Sequence, residues 1–74
     1  PGNPDAHFNL GNLHRRAGNL PAAADHYTAC LSTNPRHAAA SYNLGLTLSA
    51  AGETARAADC FRAVTRLEPT NADA

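Results

Sequence analysis

Seventy-four residues with no net formal charge make one small domain at most, and a core of that size supplies only about 3–5 kcal/mol unaided, so its stability is marginal or borrowed from neighbours. The charge balance argues against nucleic acid and anionic membrane as principal partners, because both are held mainly by excess Lys and Arg, and no apolar run approaches the ~18 residues that would cross a bilayer. The two cysteines, Cys30 and Cys60, lack the close spacing of a zinc site or a redox motif and read as small buried thiols.

In chain order, Asn3 is placed to cap a first helix with Pro4 at its opening position, where a missing N–H costs nothing, and that helix runs to about Ala17. Gly18 suits the left-handed conformation that closes a helix, and Asn19 suits the cap of the next, with Pro21 still in the tolerant first turn. The second helix is expected at about Leu20 to Thr33, stopped by Pro35, since the residue before a proline is pushed out of the α region. A third helix is expected over Ala38 to Ala51, and a fourth after Gly52 and Glu53, ending before Pro69. Apolar and small residues recur at helical spacing, as in Phe8, Leu10, Leu13 and Ala17, or Ala57, Phe61, Val64 and Leu67, and no segment alternates with period two. The chain reads as all-α: four antiparallel helices with almost nothing between them, the third flanked on both sides.

The sequence also repeats itself. Displaced by 34 residues, it matches itself at 14 of 40 positions, among them Asn9/Asn43, Leu10/Leu44, Gly11/Gly45, Gly18/Gly52, Ala23/Ala57, Asp25/Asp59 and Pro35/Pro69. The register divides the chain into units 4–37 and 38–71, with 1–3 as the end of a preceding unit and 72–74 as the start of a following one, as if cut from a longer array. Gly11 and Gly45 fall in mid-helix, where glycine costs about 1 kcal/mol against alanine, so each calls for a close helix contact that a side chain would block. Ala23 and Ala57 are expected to serve the same contact from the partner helices, and Tyr27 and Phe61 to fill the junction between units.

These residues resemble the tetratricopeptide repeat family, whose 34-residue helix-turn-helix unit carries Leu-Gly, then Ala-x-x-x-aromatic, and a closing Pro. The first unit has Leu10-Gly11, Ala23, Tyr27 and Pro35, and the second has Leu44-Gly45, Ala57, Phe61 and Pro69. The pattern's large aromatics are replaced by His7 and Ser41 in one slot and by His14 and Leu48 in another, which weakens packing and leaves the period intact. The resemblance implies two tandem units forming a short right-handed superhelical segment, the first helix of each lining a concave face. Carried over residue by residue, it puts Asp5, Phe8, Asn9, Asn12, Arg15 and Arg16 on that face from the first unit, and Tyr42, Asn43, Leu46 and Ser49 from the second. Of these, Phe8, Asn9, Asn12, Arg15, Arg16, Tyr42, Asn43 and Leu46 are the candidate peptide-binding residues.

An asparagine amide offers donors and an acceptor to a peptide backbone, and Asn9 and Asn43, one repeat apart, would form rungs of a ladder similar to that in O-linked N-acetylglucosamine transferases. The alternative is that these side chains cap or bond neighbouring turns. Asn12 and Asn43 also match two positions of the family's carboxylate clamp for acidic chaperone tails, but Phe8 stands where the clamp needs Lys and its third repeat is missing. His7 and His14 are seven apart on one helical face with His26 on the partner helix near Cys30, yet they occupy packing slots and lack the tighter spacing of zinc ligands. No oxyanion-forming loop accompanies them, so neither metal, cofactor nor catalysis is expected. The reading is a non-catalytic scaffold module that binds a protein or peptide; the alternatives are the substrate-recruiting arm of a larger enzyme such as a glycosyltransferase, or a structural segment that self-associates through its uncapped ends. Nothing in the sequence fixes a compartment, with an intracellular one favoured.

Overall fold

The computed structural model describes residues 3–67, which form four helices: α1 (Pro4–Arg16), α2 (Leu20–Thr33), α3 (Ala38–Ala50) and α4 (Thr54–Leu67). Pro1, Pro69 and the expected start of a following unit at 72–74 lie outside the described residues.

Local chemistry accounts for the ends of the helices. The Asn3 Oδ1 accepts from the Asp5 N–H at 2.9 Å and the Ala6 N–H at 3.4 Å, satisfying two donors that α1 leaves open, and Pro4 follows as expected. At the other end Ala17 caps α1 and Gly18 takes φ +82°, so that the Gly18 N–H reaches the Arg15 carbonyl at 3.1 Å and the Asn19 N–H reaches His14 at 2.9 Å. This is the paired closure that a left-handed glycine permits. The same closure recurs one repeat later, where Gly52 at φ +86° bonds Ser49 and Glu53 bonds Leu48. Asn19 both completes the first closure and caps α2 through the Ala22 N–H. At the α2–α3 junction Asn34 is extended ahead of Pro35, and α3 is capped by His37, whose Nδ1 accepts from the Ala40 N–H at 3.1 Å.

Helices α1 and α2 form one hairpin, α3 and α4 a second, and α3 packs against α1 and α2 of the first as well as its own partner. The burial follows from that placement. Helix α3 buries Ala40, Ser41, Leu44, Gly45, Thr47 and Leu48, whereas α1 buries Gly11 alone and α4 Ala57 alone. The core consists of Ala23, Tyr27, Leu44, Leu48 and Ala57, with Phe8, Leu31, Cys60 and Phe61 half-buried against it. Thr47 is tolerated inside because its hydroxyl bonds the Asn43 carbonyl at 2.8 Å, one turn back.

The mid-helix glycines are explained by aromatic rings more than by the small residues expected to oppose them. A Cβ on Gly11 would lie 2.6 Å from Tyr27 Cε1, and one on Gly45 would lie 2.6 Å from Phe61 Cε1. Each glycine is the seat for the aromatic of its own hairpin. The two seats differ in cover: Tyr27 is fully buried, because α3 closes over it, while Phe61 stays half-exposed.

Candidate peptide-binding face

The two first helices, α1 and α3, are bridged by one side-chain network. Asn12 Oδ1 accepts from Asn43 Nδ2 at 2.9 Å and also from the Tyr27 hydroxyl, and that hydroxyl accepts from Arg15 Nε at 3.3 Å. Four residues on three helices are thereby held together, because Tyr27 lies flat on Gly11 and its ring is long enough to carry the hydroxyl past the helix to the side where Asn12 and Arg15 stand. Among the described residues every buried side-chain nitrogen and oxygen has a hydrogen-bond partner, as a low-dielectric site demands.

Bonding to both donors through Oδ1 fixes the Asn12 amide, so its Nδ2 is the group left to a ligand. Asn43 has spent an N–H on Asn12, and its Oδ1 has no hydrogen bond among the described residues. Asn12 Nδ2 and Asn43 Oδ1 are thereby held in fixed orientation between α1 and α3. Asn9 is exposed and stays outside this network, so the structure brings Asn43 to Asn12 and not into direct register with Asn9.

The other candidate residues divide by burial. Phe8 is half-buried, its ring 4.8 Å from that of His37 and 6.0 Å from that of Tyr27, so much of it is committed to holding the hairpins together. Tyr42 is 49% exposed with its ring 5.8 Å from Phe61, and Leu46 is 37% exposed, which leaves apolar surface beside Asn43. Asp5 faces His37 Nε2 at 3.6 Å, and Ser49 is exposed.

Charge is unevenly matched across the described residues. The remaining acidic pairs lie on α4 and its approach, Glu53 with Arg56 at 3.0 Å and Asp59 with Arg62. Arg15 and Arg16 have no carboxylate within ion-pair reach among the described residues; Arg15 Nε donates to the Tyr27 hydroxyl instead. Two arginines without a carboxylate partner among the described residues therefore stand beside Asn12.

The histidines pack. His7 and His26 approach through their Nδ1 atoms at 3.3 Å, and His14 stacks on His26 with ring centres 5.2 Å apart and planes 5° from parallel. Among the described residues no three ligating side chains converge on a metal position, and no helix is long and apolar enough to cross a membrane. Cys30 is fully buried and Cys60 half-buried; burial is the main cause that pushes both thiols above their ordinary range, which makes them poor nucleophiles.

Two features go beyond the sequence pattern. His37 caps α3, although imidazole is an uncommon choice there. Tyr27 packs as the spacing predicts, and its hydroxyl also joins the candidate face. A signal for the second was present: one repeat on, Tyr27, Asn12 and Arg15 become Phe61, Leu46 and Ser49, so the hydroxyl occurs only where its two partners do.

No curated protein matches the chain. The family model described as tetratricopeptide repeat matches residues 1–31 and 8–72, the second match spanning most of the sequence, and two stacked hairpins with their glycine seats filled by aromatics are what that repeat requires; the chain belongs to the tetratricopeptide repeat family.

Proposed function

We propose that this chain is a non-catalytic interaction module that holds an extended peptide segment of a partner protein along α1 and α3. Tetratricopeptide repeats are generally protein-interaction modules, which supports the class. The observation that carries the finer reading is the Asn12–Asn43 bond across the two hairpins, which leaves one amide donor and one acceptor oriented beside the exposed Tyr42 and Leu46. Asn12 and Asn43 read the peptide backbone with the exposed Asn9 as a further amide on the same helix, Phe8 and Tyr42 pack its side chains, and the exposed Arg16 steers acidic segments toward the face, an effect that salt screens. Two repeats make a short groove, so affinity for an isolated peptide falls near ~10–1,000 μM.

The test is titration of an array of short peptides against wild type, Asn9→Ala/Asn43→Ala, and an α4 control, Arg62→Ala. The double substitution removes amides worth about 0.5–1.5 kcal/mol per hydrogen bond and weakens binding roughly 5- to 150-fold. Equal affinity across the three proteins moves the interaction off this face. The 34-residue register of Asn9 and Asn43 favours a second reading, a substrate-recruiting arm similar to the repeat arrays of O-linked N-acetylglucosamine transferases. A catalytic domain in the same open reading frame would decide for it. A structural, self-associating role is favoured by the exposure of Leu10 and Leu13 on α1, 41% and 61%.

A further inference from the structure

The peptide face is built in two chemically different halves, and the element that makes them differ is a single hydroxyl. In the first repeat the aromatic on the glycine seat is Tyr27, whose hydroxyl donates to Asn12 and accepts from Arg15 Nε at 3.3 Å. In the second repeat the equivalent ring is Phe61 on Gly45, and the positions of Asn12 and Arg15 are taken by Leu46 and Ser49. The backbone and the ring seat are the same in both. What changes together is a hydrogen-bonded set of Tyr, Asn and Arg for Phe, Leu and an uncharged Ser.

We infer that Tyr27 is a positioning residue that fixes Arg15 as a receptor for one side-chain carboxylate, and that the segment this face selects carries an Asp or a Glu at the α1 half and an apolar side chain at the Tyr42–Leu46 half. The inference rests on the peptide-binding reading above. Three observations support it. Arg15 is half-buried and, like the exposed Arg16, meets no carboxylate among the described residues, so it is the partly buried one of two unmatched charges on this face. Its Nε is occupied by Tyr27, which leaves the two terminal nitrogens of the guanidinium as the fork that matches a carboxylate. The hydroxyl that holds it sits on a fully buried ring with no freedom to move, so the arginine is ordered before the ligand arrives and less side-chain entropy is lost on binding. An arginine held in this way acts on the lifetime of the complex, in contrast to the free Arg16, which acts on encounter.

Tyr27→Phe is the decisive substitution, because Phe61 demonstrates that the seat accepts a ring without the hydroxyl. The probe is a panel of labelled, C-terminally amidated eight-residue peptides holding one Leu and one Asp at spacings of one to four residues, each with an Asn-for-Asp twin, measured by fluorescence anisotropy. Wild type is expected to prefer the Asp member of the best pair by roughly 10-fold or more, the discrimination that a hydrogen-bonded charge provides. Tyr27→Phe is expected to lower that preference by about 3- to 10-fold while the Asn twin binds as before, and Tyr27→Phe/Arg15→Ala is expected to bind no more weakly than Arg15→Ala, since both act through one group. Circular dichroism confirms that Tyr27→Phe is folded. If Tyr27→Phe keeps the full Asp-over-Asn preference while Arg15→Ala loses it, the positioning role is wrong and the peptide face survives. If no pair shows an Asp preference in wild type, the carboxylate assignment is wrong. Indifference of every peptide to Arg15→Ala and to Asn9→Ala/Asn43→Ala removes the peptide face itself.

Discussion

Placing the same methyl group on the two glycine seats separates local from tertiary effects. Gly11→Ala and Gly45→Ala are equivalent in sequence terms: both sit in mid-helix after Leu, both gain about 1 kcal/mol of helix propensity, and both put a Cβ 2.6 Å from an aromatic carbon. Ordinary carbon contact is ~3.5–4.0 Å, so the ring must retreat by about 1 Å in either case. Tyr27 has nowhere to go. It is fully buried under α3, and its hydroxyl is tied to Asn12 and Arg15. Phe61 is half-exposed and carries no hydrogen bond, so it can tilt outward. With overpacking at the upper end of about 1–3 kcal/mol for the sealed ring, and about 1 kcal/mol regained in propensity, Gly11→Ala is expected to lose ~1–2 kcal/mol net, whereas Gly45→Ala falls within ~1 kcal/mol of wild type. For a domain of this size that is a Tm lowered by roughly 4–16 °C for Gly11→Ala and a much smaller change for Gly45→Ala, read by circular dichroism at matched concentration. The larger Gly45→Leu change exceeds what tilting relieves and is expected to destabilise by at least ~1–3 kcal/mol. A stabilising Gly11→Ala, or a Gly45→Ala that costs as much as Gly11→Ala, would refute the account of the seats.

Three further outcomes are expected. Asn19→Ala removes a cap and should cost about 1 kcal/mol in urea unfolding, and His37→Ala should cost more, because that ring also packs on Phe8. Cys60 should alkylate well before the fully buried Cys30, and because burial holds both thiols protonated above their ordinary value of 9.0, the unfolded chain releases protons first as pH rises. The thiols' contribution to stability is therefore fully present below pH ~9 and is lost above it, which thermal melts across that range check against a Cys30→Ala/Cys60→Ala variant. The half-exposed Phe61 and Val64 on α4, with the exposed Leu10 and Leu13 on α1, should drive self-association visible by light scattering across a concentration series, and Val64→Glu should abolish it; a monomer at millimolar concentration contradicts this.

The sequence by itself determined the helices, their ends and their order. Those features depend on chemistry within a few residues: Asn3 and Asn19 bond the next turn, Gly18 and Gly52 take the left-handed conformation that others resist, and Pro35 prevents continuation. The 34-residue repeat added which helices pair, because equal units meet equal neighbours. The candidate face was legible as a set of positions but not as a pattern of bonds. That Asn43 turns to Asn12, that Phe8 lies against His37, and that Tyr27 sends its hydroxyl past Gly11 to Arg15 depend on helices brought together from 12 to 31 residues apart in sequence. Tyr27 and Phe61 make the distinction plain: the motif assigns them one role, yet one ring is sealed beneath α3 and the other is left half-exposed, because burial belongs to the helix that lies across a residue and not to the residue itself.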